Sequence, residues 1–431
     1  MRSPILCLIL AATLRVFAAD VPTPPAAEPP TEWIDPDTGH RVIRLSREPG
    51  SASLYFHQNA YSADGKKLLI TSPGGLSTIN LETREITPVV TDVVSVLVTG
   101  RKTGDVYYLR NNAADPKGPR SVWATNLDTR QAREVAQLPA DIEATNVTVN
   151  ADESLIVGIG VDKNGKAEPR VLPPGTGEGR LGPRWSLGSP MTMFTIDTKT
   201  KEVRKIYHEH DWTNHLQCSP TDPTLIMFCH EGPWQLNDRT WLIRTDGTGL
   251  TQVHVRTMDG EIAGHEFFNG DGSMVWYDLQ TPRSEVFWLA GYNIKTGART
   301  WYHHNRSEWS VHYNVSPDGT LFAGDGGGPS SVAASDSTGA KLDPPGNGQW
   351  IYLFRPELAR YHALPEKQGG LIQTGVFRAE KLVNLAKHNY QLEPNVTFTP
   401  DMKWIVFRSN MFGATHVFAV EIAKAEKPKA N

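Results

Sequence analysis

A short polar turn recurs along this chain, each copy set between two apolar, β-branched runs. The copies are Ser62-Ala-Asp-Gly, Asn150-Ala-Asp-Glu, Ser219-Pro-Thr-Asp, Asn269-Gly-Asp-Gly, Ser316-Pro-Asp-Gly and Thr399-Pro-Asp-Met. Runs of this kind bounded by Asp, Pro, Asn and Gly read as hairpins. Ser219 to Asn269 is 50 residues and Asn269 to Ser316 is 47. A period of that size marks an array of small sheets. The 88 residues from Ser62 to Asn150 leave room for one more copy, expected over residues 93–109 with its turn at Thr99-Gly-Arg-Lys-Thr-Gly.

A second strand signature follows each turn, in seven places from Leu76-Ser-Thr-Ile-Asn-Leu to His416-Val-Phe-Ala-Val-Glu. Most lead through a polar turn into a further strand. The last does not, because only Ala, Lys, Glu, Pro and Asn follow Ile422. Its missing outer strand is expected from Arg41-Val-Ile-Arg-Leu. Pairing the chain's two ends removes exposed sheet edges. The expectation is therefore all-β: a seven-bladed β-propeller of four-stranded antiparallel blades, closed by an N-terminal strand.

Length alone would allow two or three domains, but the repeat argues for one. Residues 1–19 read as a secretory signal, with Arg2 as charged flank and an apolar stretch too short to span a bilayer. A Pro-rich linker is expected over 20–32, the propeller over 33–423 and a polar tail over 424–431. The mature protein is expected to be exported, periplasmic or extracellular, with no membrane association, as a monomer or weak oligomer. Losing Arg2 and Arg15 takes the formal charge from −4 to −6, which excludes a generally basic nucleic-acid binder. Cys218 and Cys229 lie far apart on the arms of one hairpin, so a disulfide is not expected. Two long inserts, 163–190 and 326–349, fall between second and third strands of their blades. Connections of that length are functional or disordered.

Stepping back four residues from each turn gives Gln58, Ser95, Asn146, His215, His265, His312 and Asn395. All are polar. A shared register implies a shared height and direction, hence a polar ring near a channel mouth. Polar residues line any wet channel, and for Gln58, Ser95 and Asn146 that reading stands first. Three histidines in register, with Arg239, His230 and Glu393 nearby, point to a functional cluster. Other chemistries are poorly served: there is no G-x-S-x-G elbow, phosphate-cradling loop or H-E-x-x-H pair. Trp234 is a candidate sugar platform.

The chain resembles the oligogalacturonate lyases, seven-bladed propeller enzymes that split short pectic uronides by β-elimination. The resemblance rests on Phe228-Cys-His-Glu-Gly-Pro, Arg239-Thr-Trp-Leu, His265-Glu-Phe, His312 ahead of the Asp318-Gly turn, Gly324-Asp-Gly and Phe398-Thr-Pro-Asp. It implies His265 as base and Arg239 assisting at the substrate; His230, on the connection after its strand, is the alternative base. His215, Gln58, Trp234 and Asn146 are the expected substrate contacts. It also implies a divalent metal on His312, usually manganese. The family's other ligands come from a Gln-x-x-His-x-His segment, where this chain has Tyr390-Gln-Leu-Glu-Pro-Asn. Tyr390, Glu393 and Asn395 thus stand in the ligand positions, and their oxygens would also admit calcium. The rival reading is a non-catalytic exported propeller, similar to the translocation protein TolB, that binds a sugar or peptide.

Overall fold

The computed structural model describes residues 28–112, 115, 118–174, 181–343, 349–359 and 370–425. The expected signal, most of the linker and the end of the tail lie outside the described residues. Within them the protein is all-β, its strands paired antiparallel except at one seam, with one short α-helix, Leu181–Leu187.

The recurring turns close hairpins as the sequence suggests, and the chemistry repeats. Ser62, Ser316 and Thr399 each donate a hydroxyl, at 2.6 Å, to the aspartate two residues on. The turn's fourth residue takes positive φ in five copies: Gly65, Glu153, Gly272, Gly319 and Met402. Glycine meets that demand without a Cβ penalty; Glu153 and Met402 meet it with strain.

Four sheets are simple four-stranded meanders, in order 52–90, 95–137, 142–209 and 212–252. Next comes an eight-stranded sheet. It joins two antiparallel sets, Ile262–Phe268 through Arg299–His304 and Tyr313–Val315 through Ile372–Asn384. The seam is a parallel pairing of Arg299–His304 with Ile372–Asn384. The last sheet contains Thr397–Phe398, Trp404–Ser409 and His416–Lys424, followed by His40–Arg44 from the other end of the chain. Glu32–Ile34 adds a fifth strand outside it. Both long inserts leave between second and third strands, after Leu155–Asp162 and after Phe322–Gly324.

The core lies between sheets, and strand alternation assigns each side chain to a neighbour. In Leu225–Glu231 every residue is buried. Ile226 and Phe228 pack toward Val157, Ile159 and Met193 of the preceding sheet. Leu225 and Met227 pack toward Tyr277 and Leu279 of the following one. First strands of several sheets converge on a shared cavity, lined among others by Gln58, Gln217, Phe267, Asn314 and Thr397. Cys218 and Cys229 are free thiols; Cys229 pairs across the hairpin with Asn214, not Cys218. No helix among the described residues is long and apolar enough to cross a membrane.

Candidate active site

The first strands do not run straight. In Trp212–Cys218 the pairing skips between Asn214 and Gln217, so His215 and Leu216 share one opposing residue. In Ile262–Phe268 it skips between Gly264 and Phe267, so His265 and Glu266 do the same. Each skip is a β-bulge, and bulges re-aim side chains. His215 and His265 take φ of 49° and 50°, and Asn395, at the corresponding place in the last sheet, takes 55°. Non-glycine residues held at positive φ mark sites where the fold overrides local preference. Gly264 is required here, since a Cβ on it would lie 2.7 Å from the Trp234 ring.

The re-aimed side chains close a circuit. The His312 ring lies 5.1 Å from that of His265 and 5.1 Å from Tyr55. Tyr55 lies 6.0 Å from His215, and His215 Nδ1 is 3.7 Å from Glu266 Oε1. Glu266 accepts from Arg239 Nε at 3.2 Å. The Arg239 guanidinium stacks 4.5 Å over Trp234, and Trp234 returns to His265 at 6.2 Å. Glu231 approaches His215 Nε2 at 3.4 Å. Asp278 stands 3.9 Å behind His265 Nδ1, itself held by Trp309 Nε1 at 3.0 Å.

The charges are set by this packing. Burial alone would raise the Glu266 carboxyl, but Arg239 and His215 overcome it and hold it at about 2. Glu231 likewise resists burial through His215 and Arg239 and sits at about 2. His57, beside Tyr55, is held at about 3 by burial and by His215, so it stays neutral. His312 is fully buried, and burial together with His265 keeps it well below the usual imidazole range. Its Nδ1 lies 2.9 Å from Asp325 Oδ2. Burial pushes Asp325 up to about 7, against backbone donors from His312 and Asn395. Toward the pocket, His312 Nε2 meets Tyr55 Oη at 3.2 Å and Glu393 Oε2 at 3.7 Å.

Of the residues expected from sequence, His215, His265, His312, Arg239, Trp234 and Glu393 come together. His230 does not. It shares a face with Ile226 and Phe228, so it points to the preceding sheet and meets Glu209 at 2.6 Å. Gln58 is spent on structure: it accepts from Tyr55 N–H and donates to the Leu97 carbonyl. Asn146 donates to Asn214. Ser95 is exposed. Asn395 accepts from Phe56 N–H with its carbonyl and donates to the Glu393 backbone carbonyl with its amide. Tyr390 donates to the Asp325 backbone carbonyl at 3.0 Å. Sequence reasoning passed over Tyr55, His57, Glu231, Glu266, Asp278 and Asp325. A strict period of two places Glu266 opposite His265; the bulge that brings both to one pocket has no sequence signal.

These features define a repeated-sheet protein with a histidine pocket walled by a stacked guanidinium and buried carboxylates, a class suited to anionic sugars. The comparisons narrow that class. The family model described as oligogalacturonate lyase matches residues 31–425, and the chain belongs to that family. It is 26% identical over 402 residues to an oligogalacturonate lyase of Dickeya dadantii, covering 90% of this chain and 95% of the relative. It is 24% identical over 398 residues to an oligogalacturonide lyase of Pectobacterium atrosepticum, with the same coverage. Among solved structures, an oligogalacturonate lyase in complex with manganese superposes with a TM-score of 0.68 at 22% identity, covering 91% of this chain and 96% of that one. One from Vibrio parahaemolyticus gives 0.70 at 20% identity, covering 92% and 97%.

Proposed function

We propose that this protein cleaves short acidic oligosaccharides of the pectic type by β-elimination, with His265 as base and Arg239 at the uronate carboxylate. The carrying observation is the contact circuit that sets His265 beside a stacked, anchored guanidinium. A uronate has an acidic hydrogen on the carbon next to its carboxylate. Arg239 binds that carboxylate and opposes the charge that builds on it as the hydrogen leaves. His265 takes the proton. The freed electron pair forms a carbon–carbon double bond, and the bond from the adjacent carbon to the glycosidic oxygen breaks. That oxygen leaves with the neighbouring sugar and takes a proton from solvent, to which His265 returns the one it removed. Trp234 offers a ring face to the sugar, and His215 lines the floor between Glu231 and Glu266.

The family's divalent ion would sit at His312, although His215, Cys229 and Glu231, and Glu209, Asp211 and His230, also cluster as possible ligands among the described residues. With Asp325 behind Nδ1, His312 Nε2 faces both Tyr55 Oη and Glu393 Oε2, so an ion there would take the place of the Tyr55 hydrogen bond, and a carboxylate behind a histidine is the usual support for a metal ligand. His312 and Glu393 would hold the ion, and a mixed nitrogen and oxygen pair suits manganese better than calcium. Bound there, it would supply positive charge for the uronate carboxylate. Asn395 and Tyr390, already hydrogen-bonded, contribute by holding Glu393 and Asp325 in place.

We also read the sheets as seven blades, the last completed by His40–Arg44. Convergence of the first strands on one cavity and pairing of the two chain ends support this. The apolar leader supports export. The test is ultraviolet absorbance of the unsaturated product on incubation with digalacturonate, with and without added manganese. Turnover is expected. Binding of digalacturonate without turnover would replace the lyase by the non-catalytic binding propeller.

A further inference from the structure

The insert after Leu155–Asp162 does not hang free. Its described parts fold back on themselves, with Glu168 N–H to Gly188 O at 2.8 Å and Arg170 N–H to Ser186 O at 2.9 Å. Arg170 stacks 5.1 Å over Trp185 and pairs with Asp211. Trp185 lies so close to Gly232 that a Cβ there would come within 2.6 Å of it. Gly232 directly follows Glu231. The insert is thereby pinned over the strand that carries the pocket's acid.

That docking delivers Arg184. Its guanidinium stacks 5.0 Å over Trp212, and its Nη1 lies 3.7 Å from Glu231 Oε2. The arrangement parallels Arg239, which stacks on Trp234 and pairs with Glu266. His215 sits between the two acids. The difference is exposure. Arg239 is buried, whereas the Arg184 side chain is 40% exposed and makes no hydrogen bond to a described residue. A guanidinium has five donors in a planar fork that matches a carboxylate. Stacking and one acid fix the fork's orientation and leave those donors available.

We propose that Arg184 is a specificity-determining residue: it binds the carboxylate of the sugar next to the one held at Arg239. The site then selects two adjacent uronates rather than one. This rests on Arg239 as the primary carboxylate site.

The test compares wild type with Arg184→Ala and Arg184→Lys on two substrates. One is digalacturonate; the other is the same disaccharide methyl-esterified on the sugar that does not lose the proton. On digalacturonate, Arg184→Ala is expected to raise KM about tenfold, as for a lost charge-assisted hydrogen bond, with kcat within about twofold. On the ester the variant and wild type should match. Lysine should restore part of the affinity. Equal losses on both substrates, or none on either, would overturn the proposal and leave Arg184 as a packing residue of the insert. Melting curves check folding, and Arg184→Met, which keeps the stem over Trp212, replaces the alanine variant if that one is unstable. If wild type turns over neither substrate, the lyase reading fails, and calorimetric binding of the two disaccharides to wild type and Arg184→Ala still decides the role of Arg184.

Discussion

His265 and His230 are both histidines beside a glutamate, and only their backbones separate them. His265 sits at a bulge with positive φ and faces the pocket; His230 sits in an unbroken strand and faces the preceding sheet. His265→Ala is therefore expected to lower turnover by about 10²- to 10⁴-fold, as for a lost general base. His230→Ala should leave turnover near native in whatever fraction folds. The opposite pattern, measured on digalacturonate with melting as control, would move the base to His230. Glu266 gives a second prediction. Its carboxyl falls from the usual 4.5 to about 2 on folding, with Arg239, His215 and Cys229 around it. A carboxyl lowered on folding adds stability that is complete above pH 4.5 and lost as pH falls toward 2. Glu266→Gln should remove on the order of 2 kcal/mol of that acid-side dependence, seen as a flatter melting-against-pH curve below pH 4.5. An unchanged curve would show that Glu266 is not the buried ion described. At this scale the sequence was partly legible. Counting back from turns found His215, His265 and His312, because turns fix register. It did not foresee the hydrogen bonds that hold Asn395 and Gln58, because register says where a side chain starts and not which backbone groups claim it.

At the scale of the element, the turn's fourth position is the recurring constraint. Met402 occupies it with φ of 57°, where three other copies carry glycine. A non-glycine residue there costs about 1–2 kcal/mol, while glycine costs roughly 0.5–1 kcal/mol in the unfolded chain. Met402→Gly should thus be neutral to slightly stabilising, and Gly319→Met destabilising by about 1 kcal/mol. Equal losses for both in chemical denaturation would show that the turn geometry is not limiting. These turns were readable from sequence because their demand is local. The bulges beside the histidines were not, since they arise from pairing with the second strand.

For the whole molecule, the joining of the two chain ends matters most. Val42 and Ile43 are buried against the sheet that holds His416–Lys424. A chain lacking residues 28–46 exposes that sheet's edge and should melt several degrees lower or fail to fold. Unchanged melting would mean that the edge needs no partner. The repeat made this pairing legible, because the last unit visibly lacked a strand. The parallel seam was not, because the partner that an outer strand takes in the neighbouring sheet is set by the fold and not by its own residues.

That seam has a kinetic consequence. Ile372–Asn384 is hydrogen-bonded along both sides, to Trp350–Leu358 and to Arg299–His304. The two sets it joins cannot open separately without breaking backbone bonds, so they behave as one cooperative folding unit. Amide protons at Tyr302, His303 and Phe377 should exchange with solvent at a common, slow rate, while the simple four-stranded sheets let theirs go earlier. The wall that carries both His265 and His312 is then the part of the molecule that breathes least.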